Sequence, residues 1–332
     1  MSELILSYFN DLWSSVYETS ANPRKRVYWG YLLLALATAV VWLKCKRGQS
    51  FGQGVKSVLS RDIWLSPSVI GDYKVLLINK AILLLVVPLF LTKLAVATWL
   101  FQMLFRHVGA PPGNDWLPSW AIPIAFTVFL FLLDDFARYY LHRLMHRIPA
   151  LWAFHQVHHS ARVMTPFTVL RTHPVESFLF TLRSVLVQGI SIGLFIYLFG
   201  NQVDLVTVLG VNIFVFMFNV AGANLRHSHV PINYWPWLER WLISPAQHQI
   251  HHSQLTRHYD RNFGAVLAVW DRLGGSLHPS EPDTELTFGV TKVPKADEQH
   301  LKTLYLKPFA MAYRALLPKR FKRNRVEKRS LS

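Results

Sequence analysis

Five apolar runs punctuate the chain, at residues 27–43, 81–105, 117–133, 178–199 and 205–220, each close to the roughly 20 residues a helix needs to cross a bilayer. The first, third and last are short for a full span. Between the last two lies only Gly200-Asn201-Gln202-Val203-Asp204, a turn that predicts a helical hairpin over 178–220 and returns the chain to the face it left. Residues 109–115, with Gly109, Pro111, Pro112 and Gly113, break the chain between the second and third runs and predict another hairpin. Both turns are poor in Lys and Arg, whereas stretches 142–171, 226–272 and 319–329 are rich in them, which places those stretches on the cytoplasmic side. The first run has Arg24, Lys25 and Arg26 before it and Lys44, Lys46 and Arg47 after it, so its orientation stays open, as does spanning against lying in the interface. The expected fold is all-α: a polytopic membrane protein of about four to five transmembrane helices with a helical cap on the cytoplasmic face. The expected division is an N-terminal interfacial or transmembrane segment (1–80), a first transmembrane hairpin (81–124), a catalytic domain (125–278) and a basic cytoplasmic tail (279–332).

Composition strengthens the membrane reading. Of 332 residues 52% are hydrophobic, mean hydropathy is +0.22 and there are 12 Trp, too apolar for an ordinary soluble domain of this size. A net charge of +16 could suit nucleic acid, but the basic residues cluster beside apolar runs, as membrane-flanking residues do, and no nucleic-acid partner is expected. The lone Cys45 excludes an intrachain disulfide, a four-cysteine zinc site and a cysteine-held iron–sulfur cluster. Electrons for any redox chemistry therefore come from elsewhere. The first 26 residues place Glu3, Asp11 and Glu18 ahead of any basic residue, unlike a signal peptide, so the first apolar run acts as the topogenic signal. Lys319, Arg320, Lys322, Arg323, Arg325, Lys328 and Arg329 read as a solvated tail attracted to lipid headgroups.

Histidine is the residue type that carries chemistry. Twelve of the 15 lie between His142 and His258, and eight fall in three groups: His142 and His146, then His155, His158 and His159, then His248, His251 and His252. Positions i, i+3 and i+4 share one side of a helix, so each group is expected to present its imidazoles together. The third group begins 89 residues after the second, yet the hairpin over 178–220 lets all three converge on one membrane face. Eight imidazoles exceed the four ligands of a structural zinc or the three of a catalytic one, and fit two ions with positions left for water or O₂. Imidazole suits iron, zinc, copper and nickel alike. Ionisable clusters beside transmembrane helices usually mark function, and hydrogen abstraction from an alkyl chain needs an oxidant such as O₂-activated iron, a step zinc cannot perform. A zinc hydrolase would need fewer histidines and a carboxylate base near the metal. A metal transporter would place ligands inside the spans, and runs 178–199 and 205–220 hold no His.

The three boxes resemble those of the fatty acid hydroxylase / sterol desaturase superfamily. The likeness extends to Asp135-Phe136-Ala137-Arg138-Tyr139-Tyr140-Leu141 before the first box, His173-Pro174-Val175-Glu176, Ser244-Pro245-Ala246-Gln247 before the last box, and Asp260-Arg261-Asn262-Phe263-Gly264 followed by Trp270-Asp271-Arg272-Leu273-Gly274. It covers residues 125–278. The resemblance implies two iron ions, O₂ as co-substrate, a lipid substrate and a separate cytoplasmic electron-transfer protein with its reductase; oligomeric state and substrate stay open. It implies His142, His146, His155, His158, His159, His248, His251 and His252 as metal ligands. A further ligand is expected between the second and third boxes, where His227 fits the family's position better than His229. His173 reads as a ligand, as a donor supporting one, or as a helix-start residue held by Glu176, the supporting role being favoured. Asp135, seven residues before His142, either orients a liganding imidazole or pairs with Arg138 or Arg143. Tyr139 and Tyr140 read either as lining the site or as interfacial anchors, the latter being favoured, His107, His278 and His300 as ordinary surface or interface residues, and His258 is left undecided.

Overall fold

The computed structural model describes residues 2–86, 91–112, 117–281, 284–290 and 299–317. The basic stretch 319–329 lies outside the described residues, as do parts of the 81–105 run and of the 109–115 turn. Among the described residues 68% are helical and 3% lie in strands. The helices preceding the first histidine box are α1 (Ser2–Ala21), α2 (Trp29–Arg47), α3 (Phe51–Val58), α4 (Arg61–Trp64), α5 (Pro67–Val86) and α6 (Lys93–His107). The histidine region follows with α7 (Ala121–Arg147), α8 (Pro149–His159), α9 (Pro174–Phe199), strands β1 (Thr207–Val208) and β2 (Val211–Asn212), α10 (Ile213–Val220), α11 (Pro245–His251) and α12 (Val269–Leu273), and the described chain closes with α13 (Leu301–Tyr305) and α14 (Lys307–Leu316).

Among the described residues, two helices are long and apolar enough to cross a membrane, Trp29–Arg47 and Pro174–Gln202, the latter including the 3-10 turn that extends α9. The other runs resolve differently from expectation. Run 81–105 is interrupted at the non-helical Leu91 and Thr92: α5 is described as far as Val86 and α6 starts at Lys93, its first turn capped by the Thr92 hydroxyl accepting from Ala95 N. Run 117–133 lies in a longer helix, the 27-residue α7, whose second half carries Asp134, Asp135 and Arg138. Run 205–220 is not a helix across a bilayer. Its first half is a two-stranded hairpin pairing Thr207 with Asn212, turned at Leu209 and Gly210, both at positive φ. β-branched Val206, Thr207, Val208 and Val211 favour strand there, and the Asn212 side chain then caps the eight-residue α10. Eight helical residues rise only about 12 Å against a hydrocarbon core of roughly 30 Å.

Two antiparallel helices set the frame. The start of α7 packs on the end of α9 through Ile122, Phe126, Phe195 and Phe199, which leaves the histidine end of α7 beside the start of α9. Gly189 and Gly193 bring α9 against α6 so closely that a Cβ at 193 would lie 2.6 Å from the Ala97 carbonyl, the small-residue contact by which helices meet in lipid. Behind the site, α2 packs through Ala35, Ala39, Val40 and Leu43 on Leu225, Val230 and Ile232. In the region expected to be a basic tail, α14 lies on α8: Met311 Sδ accepts from Gln156 Nε2, and Phe309 packs on Phe154 and His173.

A buried ion pair locks α5 to this assembly. Arg171 and Asp72 are both fully buried, 3.0 Å apart, and Arg171 also donates to Val157 O and Ser160 Oγ at the end of α8. Removing one partner of such a pair leaves an uncompensated buried charge. Asp72→Ala is expected to destabilise the protein by about 3–5 kcal/mol, read as the loss of unfolding free energy in detergent. A change under about 1 kcal/mol would refute this role, since that is the worth of a solvent-exposed pair.

Candidate metal centre

Local sequence sets the position of each box. α8 opens with Pro149 at its first turn, and its last turn carries His155, His158 and His159. α11 opens with a capping box: Ser244 Oγ accepts from Gln247 N, and Gln247 Oε1 accepts from Ser244 N. Gln247 Nε2 then donates to Glu239 O and His278 O, which fixes the face from which His248, His251 and His252 project.

Nine histidines gather into two groups. His142, His146, His155, His159 and His251 form one, and His158, His227, His248 and His252 form the other; within each, one candidate ligand atom per residue lies within 4.8 Å of all the rest. Each three-histidine box is thus divided rather than presented to one ion. His155 and His159, one helical turn apart, join the first group while His158 joins the second; His248 and His252 join the second while His251 joins the first. His227, on the 3-10 turn Ala223–His227, is in the second group, and His229 is exposed outside it.

Hydrogen bonding fixes where the lone pairs point. His142 Nδ1 lies 2.8 Å from Phe263 O, and His251 Nδ1 lies 2.7 Å from Arg261 O; a carbonyl only accepts, so both Nδ1 atoms carry the proton. His155 Nδ1 donates to Glu176 Oε1 at 2.8 Å. The Nε2 atoms of His142 and His155 therefore meet at 3.1 Å lone pair to lone pair, which is repulsive unless a cation sits between the rings. In the second group His227 Nε2 lies 3.2, 3.0 and 3.2 Å from the Nε2 atoms of His158, His248 and His252, and one nitrogen cannot donate three times. Ligands roughly 2.0–2.1 Å from one ion stand about 2.9–3.4 Å from each other, so the spacing matches a ligand shell. The buried Nε2 atoms of His146, His159 and His251 likewise have no hydrogen-bond partner. The donor set fits two metal ions.

Burial, and then the neighbouring rings, hold His248, His251 and His252 well below the usual 6.5, and His158 is pushed down to about 3. All are neutral near pH 7, the form that binds metal.

The remaining expected residues take other places. Asp135 touches no histidine and neither suggested arginine; it accepts from Val266 N, Leu267 N and Trp270 Nε1, at 2.9, 2.9 and 3.0 Å. Asp271 accepts from Phe263 N, Gly264 N and Ser276 Oγ. Together they fix the loop that aims the Phe263 and Arg261 carbonyls at their histidines. His173 is the N-cap of α9, its Nδ1 accepting from Val175 N and its Nε2 facing Tyr305 O at 3.1 Å; Glu176 meets the His173 backbone amide and holds the His155 ring. Tyr139 is buried beside Arg143 rather than an interfacial anchor, whereas Tyr140 is exposed. His258 is fully buried and shares Glu281 with His278, a side-chain cluster outside the nine. Sequence reading missed the roles of Asp271, Phe263 and Arg261; the Asp-Arg-Asn-Phe-Gly and Trp-Asp-Arg-Leu-Gly segments were the signal.

The nine histidines separate two cavities. One, of about 310 Å³, is lined by His146, His159, His251 and His252 with Trp152 and Tyr259. The other, of about 460 Å³, runs beside α9 and is lined by His142, His155, His158, His227 and His248 with apolar Phe180, Phe263 and Val169. Four arginines, Arg26, Arg138, Arg183 and Arg226, also line it.

Residues 127–276 match the fatty acid hydroxylase family, the stretch that holds all nine histidines. The chain is 31% identical over 205 residues to the ornithine lipid hydroxylase OlsE of Rhizobium tropici (60% of this chain, 55% of that protein). It is 29% identical over 161 residues to the alkylglycerol monooxygenase of Homo sapiens (48% and 32%). It is 28% identical over 153 residues to the Delta(7)-sterol 5(6)-desaturase ERG3B of Gibberella zeae (46% and 42%). The chain spans between a third and just over half of these relatives' length. No solved structure matches. Family and relatives together support the superfamily resemblance drawn from the boxes.

Two outcomes follow from this geometry. Glu176→Ala frees the His155 ring and is expected to weaken metal binding about 10- to 100-fold, measured by competitive chelator titration; unchanged affinity would remove Glu176 from the site. Because the unfolded chain takes up protons that these folded histidines refuse, the metal-free protein keeps its full stability above pH 6.5 and loses it as the pH falls below that value. Melting temperatures that do not fall between neutral pH and about pH 5 would contradict it.

Proposed function

We propose that this chain is a membrane-bound di-iron oxidoreductase that uses O₂ to hydroxylate or desaturate a C–H bond of a lipid. The observation that carries the reading is the wall of nine imidazoles, seven of them buried and those of His142 and His146 half-buried, whose facing lone pairs require cations, with a cavity on each side. Imidazole alone does not select the metal. The choice of iron rests on the reaction class named by the relatives, hydroxylase, monooxygenase and desaturase, which needs a redox metal. Two iron ions, when bound, supply O₂ activation and the oxidation of an unactivated C–H bond.

The residues divide the remaining work. His142, His146, His155, His159 and His251 would hold one ion and His158, His227, His248 and His252 the other. Glu176 and the carbonyls of Phe263 and Arg261 keep three of these rings turned with Nε2 inward. The larger cavity, bounded by Phe180, Phe263 and Val169, takes an alkyl segment entering from the bilayer beside α9 and keeps water from the reacting carbon. Exposed Leu33, Leu94 and Trp99, at 57, 72 and 62%, suit contact with lipid chains, and a multi-pass arrangement puts the histidine end at the cytoplasmic face. Electrons reach the site from a separate cytoplasmic carrier and its reductase, on the side of Trp152 and Tyr259.

Comparing lipids of cells that carry the intact chain with cells that carry His251→Ala tests the proposal by mass spectrometry. The expected result is a lipid that gains one oxygen or loses two hydrogens only with the intact chain. If no lipid differs and the purified protein holds zinc alone, the reading is wrong.

A further inference from the structure

The arginines of the larger cavity are unevenly matched. Asp134 is shared between Arg138 and Arg183, at 2.7 and 2.8 Å, and Glu176 is engaged by His155, which leaves Arg26 and Arg226 without a carboxylate partner among the described residues. The Arg183 side chain is only 9% exposed, and its Nε is buried with no hydrogen-bond partner. Arg226 is 4% exposed and donates only to the backbone carbonyls of Ala223 and Ala265, its guanidinium lying over the Phe218 ring. Arg26 donates to the Ala223 carbonyl and meets no carboxylate among the described residues. Buried cations left with neutral partners carry an uncompensated desolvation cost, and an apolar substrate would leave that cost in place. An acidic group would offset it, because guanidinium binds carboxylate or phosphate through paired, charge-assisted hydrogen bonds.

We infer that the larger cavity binds lipids through an acidic headgroup, a phosphate or a carboxylate, held by Arg183 and Arg226 with Arg26 and Arg138 around it. This deepens the lipid-oxidation reading and rests on it for the identity of the cavity as the substrate site. It also limits the position of the reaction. Arg138 stands one turn before His142 on α7, about 6 Å along the helix, and Arg183 stands about 10 Å beyond Glu176 on α9. An extended alkyl chain covers that separation in about five to eight bonds, so the oxidised carbon lies near the headgroup rather than at the far end of the chain.

Direct binding to the full-length, iron-loaded protein in detergent tests this without relying on turnover. Radiolabelled dioleoyl phosphatidate and dioleoylglycerol carry the same two oleoyl chains and differ in charge, and oleate presents one such chain on a carboxylate. The two acidic lipids are expected to bind about 10- to 100-fold more tightly than the neutral one. Arg183→Gln is expected to abolish that preference and Arg183→Lys to restore part of it, with metal content confirming that each variant is folded. Equal binding of all three lipids by the unaltered protein overturns the inference, as does a preference untouched by Arg183→Gln. Inorganic phosphate that displaces phosphatidate as effectively as unlabelled phosphatidate does would assign the arginines to a soluble anion and overturn the lipid source. Acidic-lipid preference without any oxidised product leaves this inference standing and counts against the oxygenase reading alone.

Discussion

The structure depends on one electrostatic requirement: nitrogen lone pairs of neutral imidazoles are aimed at one another between the helices that carry them. Such an arrangement is repulsive in the bare protein, and His142 and His155 show it most plainly, since each has its Nδ1 proton committed elsewhere. The surrounding architecture keeps these rings from turning away. Glu176 does so from the first turn of α9, and Asp135 and Asp271 do so at one remove, by holding the backbone whose carbonyls receive the histidine protons. Two positive-φ residues, Asp260 and Asn262, flank Arg261 in the loop that turns its carbonyl toward His251.

Much of this was legible in the residues. Box spacing and the prolines that open the helices, Pro149, Pro174 and Pro245, are local signals, and local signals survive folding, whereas His227 was reached through the family resemblance. What spacing could not reveal was the partition of each box, because neighbouring positions on a short helix can face either of two ions when both lie against the same end. The role of Asp135 was hidden for a similar reason. Its partners lie 131 to 135 residues away and are mostly backbone amides, which leave no mark in a side-chain pattern. Hydropathy misled at residues 205–220, where Leu, Val and Phe read equally well as helix or strand and only Gly210 and Asn212 marked the break.

Charge and apolarity are distributed with the same economy. The cavity beside α9 combines aromatic and aliphatic walls with guanidinium groups, while the opposite cavity offers Trp152, Tyr259 and Asp260 and, among the described residues, no arginine. The histidine wall between them gives the two sides unlike surroundings, and α7 with α9 supplies a rigid mount for the side nearer the long apolar helices.

The exchange of positions between the second and third boxes makes the two metal sites a single interlocked unit. α8 gives two rings to one site and one to the other, and α11 does the reverse, so neither site exists without both helices. A displacement of either helix therefore dismantles both groups at once, so the two stand or fall together.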